Sequence, residues 1–167
     1  MSDPGFRRRR TLLGLLAVAA LASACGFHLQ GTPTLPPAMA RTYIRAADTH
    51  SEFYWQLRRE LEAAGVEVVD GASDATAVFT VYLDDTDQRV LSVSARNIPT
   101  EYEVYYTVQY GITIGSDTLV SVQDLTLTRD YTYDPTLVLG KSREEELLRE
   151  RIAGDLVRIV MEQAAVQ

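Results

Sequence analysis

The stretch Tyr102-Glu103-Val104-Tyr105-Tyr106-Thr107-Val108-Gln109-Tyr110-Gly111-Ile112-Thr113-Ile114 places large apolar or aromatic side chains at every even position. The odd positions are mostly polar or small. Successive side chains of an extended chain point to opposite faces, so this period of two specifies a long, half-buried strand rather than a helix. The even face belongs on a core. The odd face is wet, yet it carries Tyr105, a large amphipathic ring suited to an interface.

Gly115-Ser116-Asp117 turns the chain, and Leu119 to Tyr133 reads as a second long strand, ended by Asp134-Pro135-Thr136. Its apolar phase slips between Val120/Val122 and Leu125/Leu127, which predicts a β-bulge near Gln123-Asp124. Thr126, Thr128 and Thr132 give it a face like that of its neighbour. Upstream, Ser94 to Thr100 is a loop or hairpin connection. Ala77, Phe79, Val81 and Leu83 share one parity with Leu91, Val93 and Ala95, interrupted by Asp84-Asp85-Thr86-Asp87-Gln88, which reads as a solvated turn.

Two amphipathic helices flank these strands. Thr49-His50-Ser51-Glu52 has the form of a capping box, and Phe53, Leu57, Leu61 and Ala64 follow on one face before Gly65, a residue suited to the left-handed position that ends helices. Ser142-Arg143-Glu144-Glu145 is a second capping box, opening a helix with Leu148, Ile152, Leu156, Ile159 and Val160 in one stripe and reaching about Ala164. Arg41 to Ala46 alternates as a first strand, Val66-Glu67-Val68-Val69 is a short extended piece, and Asp70 to Asp74 is a turn. The fold class is α+β: a two-layer sandwich of two helices on one face of a mixed, mostly antiparallel sheet of about four strands.

The N-terminal segment is of a different kind. Arg7-Arg8-Arg9-Arg10 is a cationic start, Thr11 to Leu21 an apolar run too short to span a bilayer, and Ala22-Ser23-Ala24 a small-residue cleavage site. Cys25, the only cysteine, follows immediately. A lone thiol there makes no internal disulfide and stands where bacterial lipoproteins are acylated. Position −3 is Ala22, with Leu21 one place further out. Arg9-Arg10-Thr11-Leu12-Leu13 leaves both the general secretory and the twin-arginine routes open. The expected organisation is a signal peptide over 1–24, a lipid-anchored tether over 25–40, extended because of Pro33, Pro36 and Pro37, and one α+β domain over 41–167.

The leader holds four Arg and one Asp, so the 16 basic and 23 acidic residues of the chain fall to 12 and 22 in the mature protein, a net charge of −10. Such a domain has no global attraction for nucleic acid, and an anionic ligand must meet a local basic cluster. Catalytic candidates are scarce: His28 lies in the tether, His50 beside a helix cap, and no phosphate-loop, nucleophile-elbow or zinc-helix pattern occurs. Asp84-Asp85-Thr86-Asp87 lacks the glycine and bidentate Glu of a calcium loop. The chain reads as neither an enzyme nor a holder of metal or cofactor. For a phosphorylated lipid, the cations to suspect are Arg96, in a polar loop, and Lys141, the sole lysine, placed just before the second helix, where the dipole opposes it. Arg129 and Arg143 are weaker candidates.

Cys25-Gly26-Phe27-His28-Leu29-Gln30-Gly31 resembles the opening of the LPS-assembly lipoprotein family LptE, which continues through a short proline-containing linker. Arg96-Asn97 ahead of Glu101-Tyr102, the run Tyr133-Asp134-Pro135 through Leu139-Gly140-Lys141, and Gly65-Val66-Glu67-Val68 after the first helix are also similar to that family. The resemblance spans nearly all of Cys25 to Val166. It implies an outer-membrane lipoprotein on the periplasmic side that partners and plugs the β-barrel LptD and assists delivery of lipopolysaccharide to the outer leaflet. It also directs attention to Arg96 and Lys141 as lipopolysaccharide contacts. An envelope lipoprotein scaffolding a different complex is the alternative, and an envelope hydrolase a third class.

Overall fold

A computed structural model describes residues 34–133 and 138–166, with only the backbone described at 138–142. The segment expected as a signal peptide, the expected lipidation site Cys25 and the first part of the expected tether lie outside the described residues, as do Asp134-Pro135-Thr136 and the side chain of Lys141.

The elements run β1 (Arg41–Arg45), α1 (Glu52–Ala63), β2 (Glu67–Val69), β3 (Ala77–Val93), β4 (Pro99–Ile114), β5 (Asp117–Thr132) and α2 (Val138–Ala165). They form one five-stranded sheet in the order β2-β1-β3-β4-β5. β1 pairs in parallel with β2 and β3, whereas β3, β4 and β5 form an antiparallel meander. The parallel pair is possible because α1 carries the chain back between β1 and β2; the antiparallel pairs need only tight turns. Gly115, at φ +58°, opens one of these turns, and Asn97, at φ 59°, adopts the same left-handed conformation in the other. Both helices cover one face. The sheet is α+β and mixed, with five strands rather than about four: the short β2 edge is a full member.

The alternation of β4 decides the core. Val104, Tyr106, Val108, Tyr110 and Ile112 are buried beneath the helices, against Phe53, Leu57 and Leu61 of α1 and Ile152, Leu156, Val157 and Val160 of α2. Each such side chain contributes roughly 1.5–3 kcal/mol by leaving water. Phe79 and Tyr110 stack with ring centres 5.5 Å apart. Pro37–Met39 form a single 3-10 turn with Met39 fully buried, so the proline-rich stretch ends folded rather than extended.

Three sequence expectations change. The cap of α1 is Ser51, whose Oγ accepts from the Tyr54 N–H at 3.1 Å, and not Thr49. Glu52 accepts from the Gln56 side chain at 2.7 Å instead of reaching back. Next, α2 begins at Val138, a full turn ahead of the Ser142 capping box. Serine costs little inside a helix, so propagation passes through it. The acidic residues beyond it pair along the helix instead, Glu145 with Arg149 at 2.6 Å and Glu146 with Arg143 at 2.5 Å.

The third correction concerns β3. It is one uninterrupted strand, and the polar run Asp84 to Gln88 is not a turn. Its register shifts between Val81 and Leu83, leaving Tyr82 as the extra residue of a bulge. A one-residue slip moves every later side chain to the other face. Leu83, an apparent core residue by parity, is therefore exposed; Leu91 and Val93 are exposed as well, at the strand's end, where the register shifts again between Val90 and Ser92 and between Ser92 and Val93. The bulge in β5 lies where two residues, Ser121 and Val122, oppose the single Gly111, beside the expected Gln123-Asp124. A Cβ at Gly111 would come within 3.3 Å of Val122, so glycine lets the bulge close over it.

The end of α1 is a Schellman arrangement: the Gly65 N–H donates to Glu62 O and the Val66 N–H to Leu61 O, both at 3.0 Å, with Gly65 at φ +85°. An L-residue with a Cβ pays roughly 1–2 kcal/mol for that conformation. Gly65→Ala should therefore lower unfolding free energy by about 1–2 kcal/mol in urea denaturation; an unchanged midpoint would contradict the role given to Gly65.

Candidate functional site

The face of the sheet away from the helices is open. On β4 it carries Glu103, Tyr105, Thr107, Gln109 and Thr113. Antiparallel pairing sets Asp130, Thr128, Thr126 and Asp124 opposite the first four of these on β5. On β3 it gains Asp85, Asp87 and Arg89. Side chains tie the strands together: Thr107 to Thr126 at 2.9 Å, Gln109 Nε2 to Asp124 Oδ1 at 2.9 Å, and Arg89 to Glu103 in an ion pair. The result is a flat, wide surface of hydroxyl, amide and carboxylate groups around Tyr105. Such a surface stays wet while offering many partners for hydrogen bonding across an interface.

The helix side of the same strands holds a polar cluster. The β3 bulge turns Asp84 inward, where Oδ2 accepts from the Ser51 hydroxyl at 2.5 Å and Oδ1 accepts from the Tyr106 hydroxyl at 2.7 Å. The Tyr106 oxygen in turn accepts from the Phe53 N–H at 3.3 Å. Two backbone donors of the first turn of α1, normally orphaned, are thus satisfied by Ser51 and Tyr106. A cavity of about 460 Å³ adjoins the cluster, lined also by Asp48, Glu52, Glu146 and Arg149. Arg149 donates to the Thr86 carbonyl at 3.2 Å and to Glu145. Both Asp84 oxygens are engaged inside the fold, so its chemistry is to anchor α1 on the sheet.

Burial, and then the hydrogen bond to Asp84, push the Tyr106 phenol well above its ordinary value near 10. Burial also raises Tyr110 and Tyr131. Below about pH 10 tyrosines are neutral in folded and unfolded chains alike, and the stabilising contribution is intact. As pH rises further the unfolded chain loses phenolic protons that the folded one keeps, so stability falls by up to ~1.4 kcal/mol per pH unit for each such tyrosine. Tyr106→Phe should cost about 1–3 kcal/mol at neutral pH, by leaving the Phe53 N–H unpaired, and should flatten that alkaline fall. Urea titrations at neutral and alkaline pH would measure both; an equally steep alkaline fall in the variant would exclude Tyr106 as its source.

The cations singled out in the sequence do not converge on one another through any described contact. Arg96 is exposed in the β3–β4 hairpin loop, closed by Ser94 N–H to Ile98 O at 2.8 Å and Asn97 N–H to Ser94 O at 2.9 Å. Arg129 points to the helix side and binds Asp155 at 2.8 Å. Arg143 pairs within α2. Lys141 lies inside the first turn of α2, not ahead of it. The hairpin loop that holds Arg96 follows an exposed apolar strip of Val90, Leu91 and Val93 and ends at exposed Ile98. Among the described residues no group of three or more His, Cys, Asp or Glu side chains is placed to hold a metal ion.

The LptE lipopolysaccharide-assembly family matches residues 39–164. This chain belongs to the LptE family. It is 26% identical over 148 residues to the LPS-assembly lipoprotein LptE of Yersinia enterocolitica, covering 87% of this chain and 70% of that one. It is also 26% identical over 157 residues to that of Pectobacterium atrosepticum, covering 90% and 85%. Among solved structures it is similar to an uncharacterized lipoprotein B from Nitrosomonas europaea, with a TM-score of 0.69 at 27% identity over 84% of this chain and 91% of the other. The rare lipoprotein B of Shewanella oneidensis gives 0.64 at 27% identity, over 75% and 95%. The two-layer arrangement is therefore shared by LptE-like lipoproteins.

Two features of this LptE chain escaped the sequence. Asp84 looked like one acid in a solvated turn, and only the bulge at Tyr82 brings it under α1. Tyr106 looked like plain core, because parity says which face a side chain takes and not what its hydroxyl meets. The signal that could have found them is an acidic residue one register slip away from a buried tyrosine.

Proposed function

We propose that this chain is a lipid-anchored outer-membrane lipoprotein that partners and plugs the β-barrel LptD and assists assembly and insertion of lipopolysaccharide into the outer leaflet. In this reading residues 1–24 are removed, Cys25 carries the lipid, residues 25–40 tether the domain, and no bond of the lipopolysaccharide is made or broken. The observation that carries the proposal is the family match across residues 39–164. The open sheet face supports it: a surface of Tyr105, Thr107, Gln109, Thr126 and Thr128 suits the polar, water-filled interior of a large barrel. A membrane tether would raise the local concentration of that face near its partner. Arg96 and Lys141 are the proposed contacts for lipopolysaccharide phosphates, through charge-assisted hydrogen bonds.

The partnership is tested by purifying the full chain from detergent-solubilised outer membranes and identifying what accompanies it. A large β-barrel should be recovered with it; recovery alone, or with a different complex, overturns the reading. Thr107→Arg combined with Thr126→Arg, which breaks the open face without touching the core, should reduce barrel recovery about tenfold while leaving the melting temperature within a few degrees. For the ligand, Arg96→Asp and Lys141→Asp should each weaken lipopolysaccharide binding by the soluble domain, and unchanged affinity in both removes those residues from the account.

A further inference from the structure

In a chain with 16 basic and 23 acidic residues, arginines readily find carboxylates. Arg41, Arg58 and Arg89 do so with Glu67, Glu62 and Glu103. Among the described residues, Arg59 and Arg151 have neither an ion pair nor a side-chain hydrogen bond. Both are exposed, and α1 and α2 bring them to one surface groove of about 650 Å³ that Arg129 also lines. The helices meet closely at its floor, where a Cβ on Gly154 would stand 2.8 Å from Gln56 Oε1. Of the two carboxylates in the groove, Asp155 is held by Arg129 at 2.8 Å and Arg158 at 2.9 Å, and Glu150 stands in no ion pair. Three guanidiniums against two carboxylates leave the groove locally positive on a protein that is otherwise acidic. Like charges at one groove repel across water, and an anion between them relieves that repulsion.

A second observation points the same way. Trp55, the only tryptophan, is 53% exposed and lies one turn before Arg59 on the same side of α1. An indole left in water beside cationic donors is the pairing found where proteins meet lipid headgroups.

We propose that the groove between α1 and α2 is a binding site for a phosphate-bearing anion, with Arg59 and Arg151 as forked donors and Trp55 as the flanking contact. The groove lies on the helix layer, opposite the open sheet face, and the proposal does not rest on the barrel partnership. The phosphate has two sources, a membrane-lipid headgroup or a free phosphate compound.

The test uses the full chain in uncharged detergent micelles, titrated with inorganic pyrophosphate by calorimetry and with short-chain phosphatidylglycerol by Trp55 fluorescence, with short-chain phosphatidylcholine as the zwitterionic control. Saturable binding of at least one anionic probe is expected, weakened by salt and weakened about tenfold or more in the Arg59→Gln/Arg151→Gln variant, while Arg45→Gln, at an exposed arginine of β1 that does not line the groove, binds as the parent does. Binding of pyrophosphate alone assigns a free phosphate compound. Phosphatidylglycerol binding with a blue shift of Trp55 assigns a headgroup. Absence of binding to both probes, equal response to phosphatidylcholine, or undiminished affinity in the double variant overturns the site.

Discussion

β4 must hide one whole face from water. Five of its alternate side chains, from Val104 to Ile112, are buried, and a sheet with such a stripe is stable only when another layer covers it. Both helices exist as ordered elements because they supply that cover: an isolated helix of the length of α1 is marginal in water, and tertiary packing stabilises it. The two tyrosines in the stripe add a condition. Their rings belong in the core, but their hydroxyls need partners there. Tyr106 finds Asp84 and the Phe53 N–H, and Tyr110 finds Gln123 and Gln163. Each helix is thereby pinned to the sheet by a polar contact as well as by apolar area, the first near the start of α1 and the second near the end of α2.

The same strand generates the outward surface. Because side chains alternate, every residue spent on the core leaves a neighbour facing the other way, and in this chain those neighbours are Thr, Gln, Glu and one Tyr. The sheet thus separates two environments: a helix layer, whose outer groove gathers unpaired arginines, and an open face of hydroxyls and carboxylates. Contacts on one of these surfaces leave the other free, since the core lies between them.

Much of this was legible in the residues. The period of two in β4, the stripes of the two helices and Gly65 follow from local rules, because a side chain's face depends only on its place along a regular backbone. The α+β class and the slip in β5 follow as well. The short range of those rules also explains the misses. Ser51 caps α1 because Asp84, on a different strand, holds its hydroxyl. The cap at Ser142 is overridden because the helix already runs from Val138, so the backbone donors after Ser142 find carbonyls in the preceding turn and need no cap. Of the site residues, Arg96 was identifiable as a loop cation, whereas the engagement of Arg129 with Asp155 depends on a partner 26 residues away.

By itself, then, the sequence determined the class of fold, the buried stripe and the membership of a family, since these rest on periodicity and on short motifs that survive divergence. Tertiary structure alone decided the register. One extra residue at Tyr82 sends Asp84 inward and Leu83 outward, and a bulge is a property of two paired strands that neither strand specifies alone. It also decided which arginines stay unpaired, because an ion pair is set by distance through space, and Arg59 meets Arg151 only after α1 and α2 have packed.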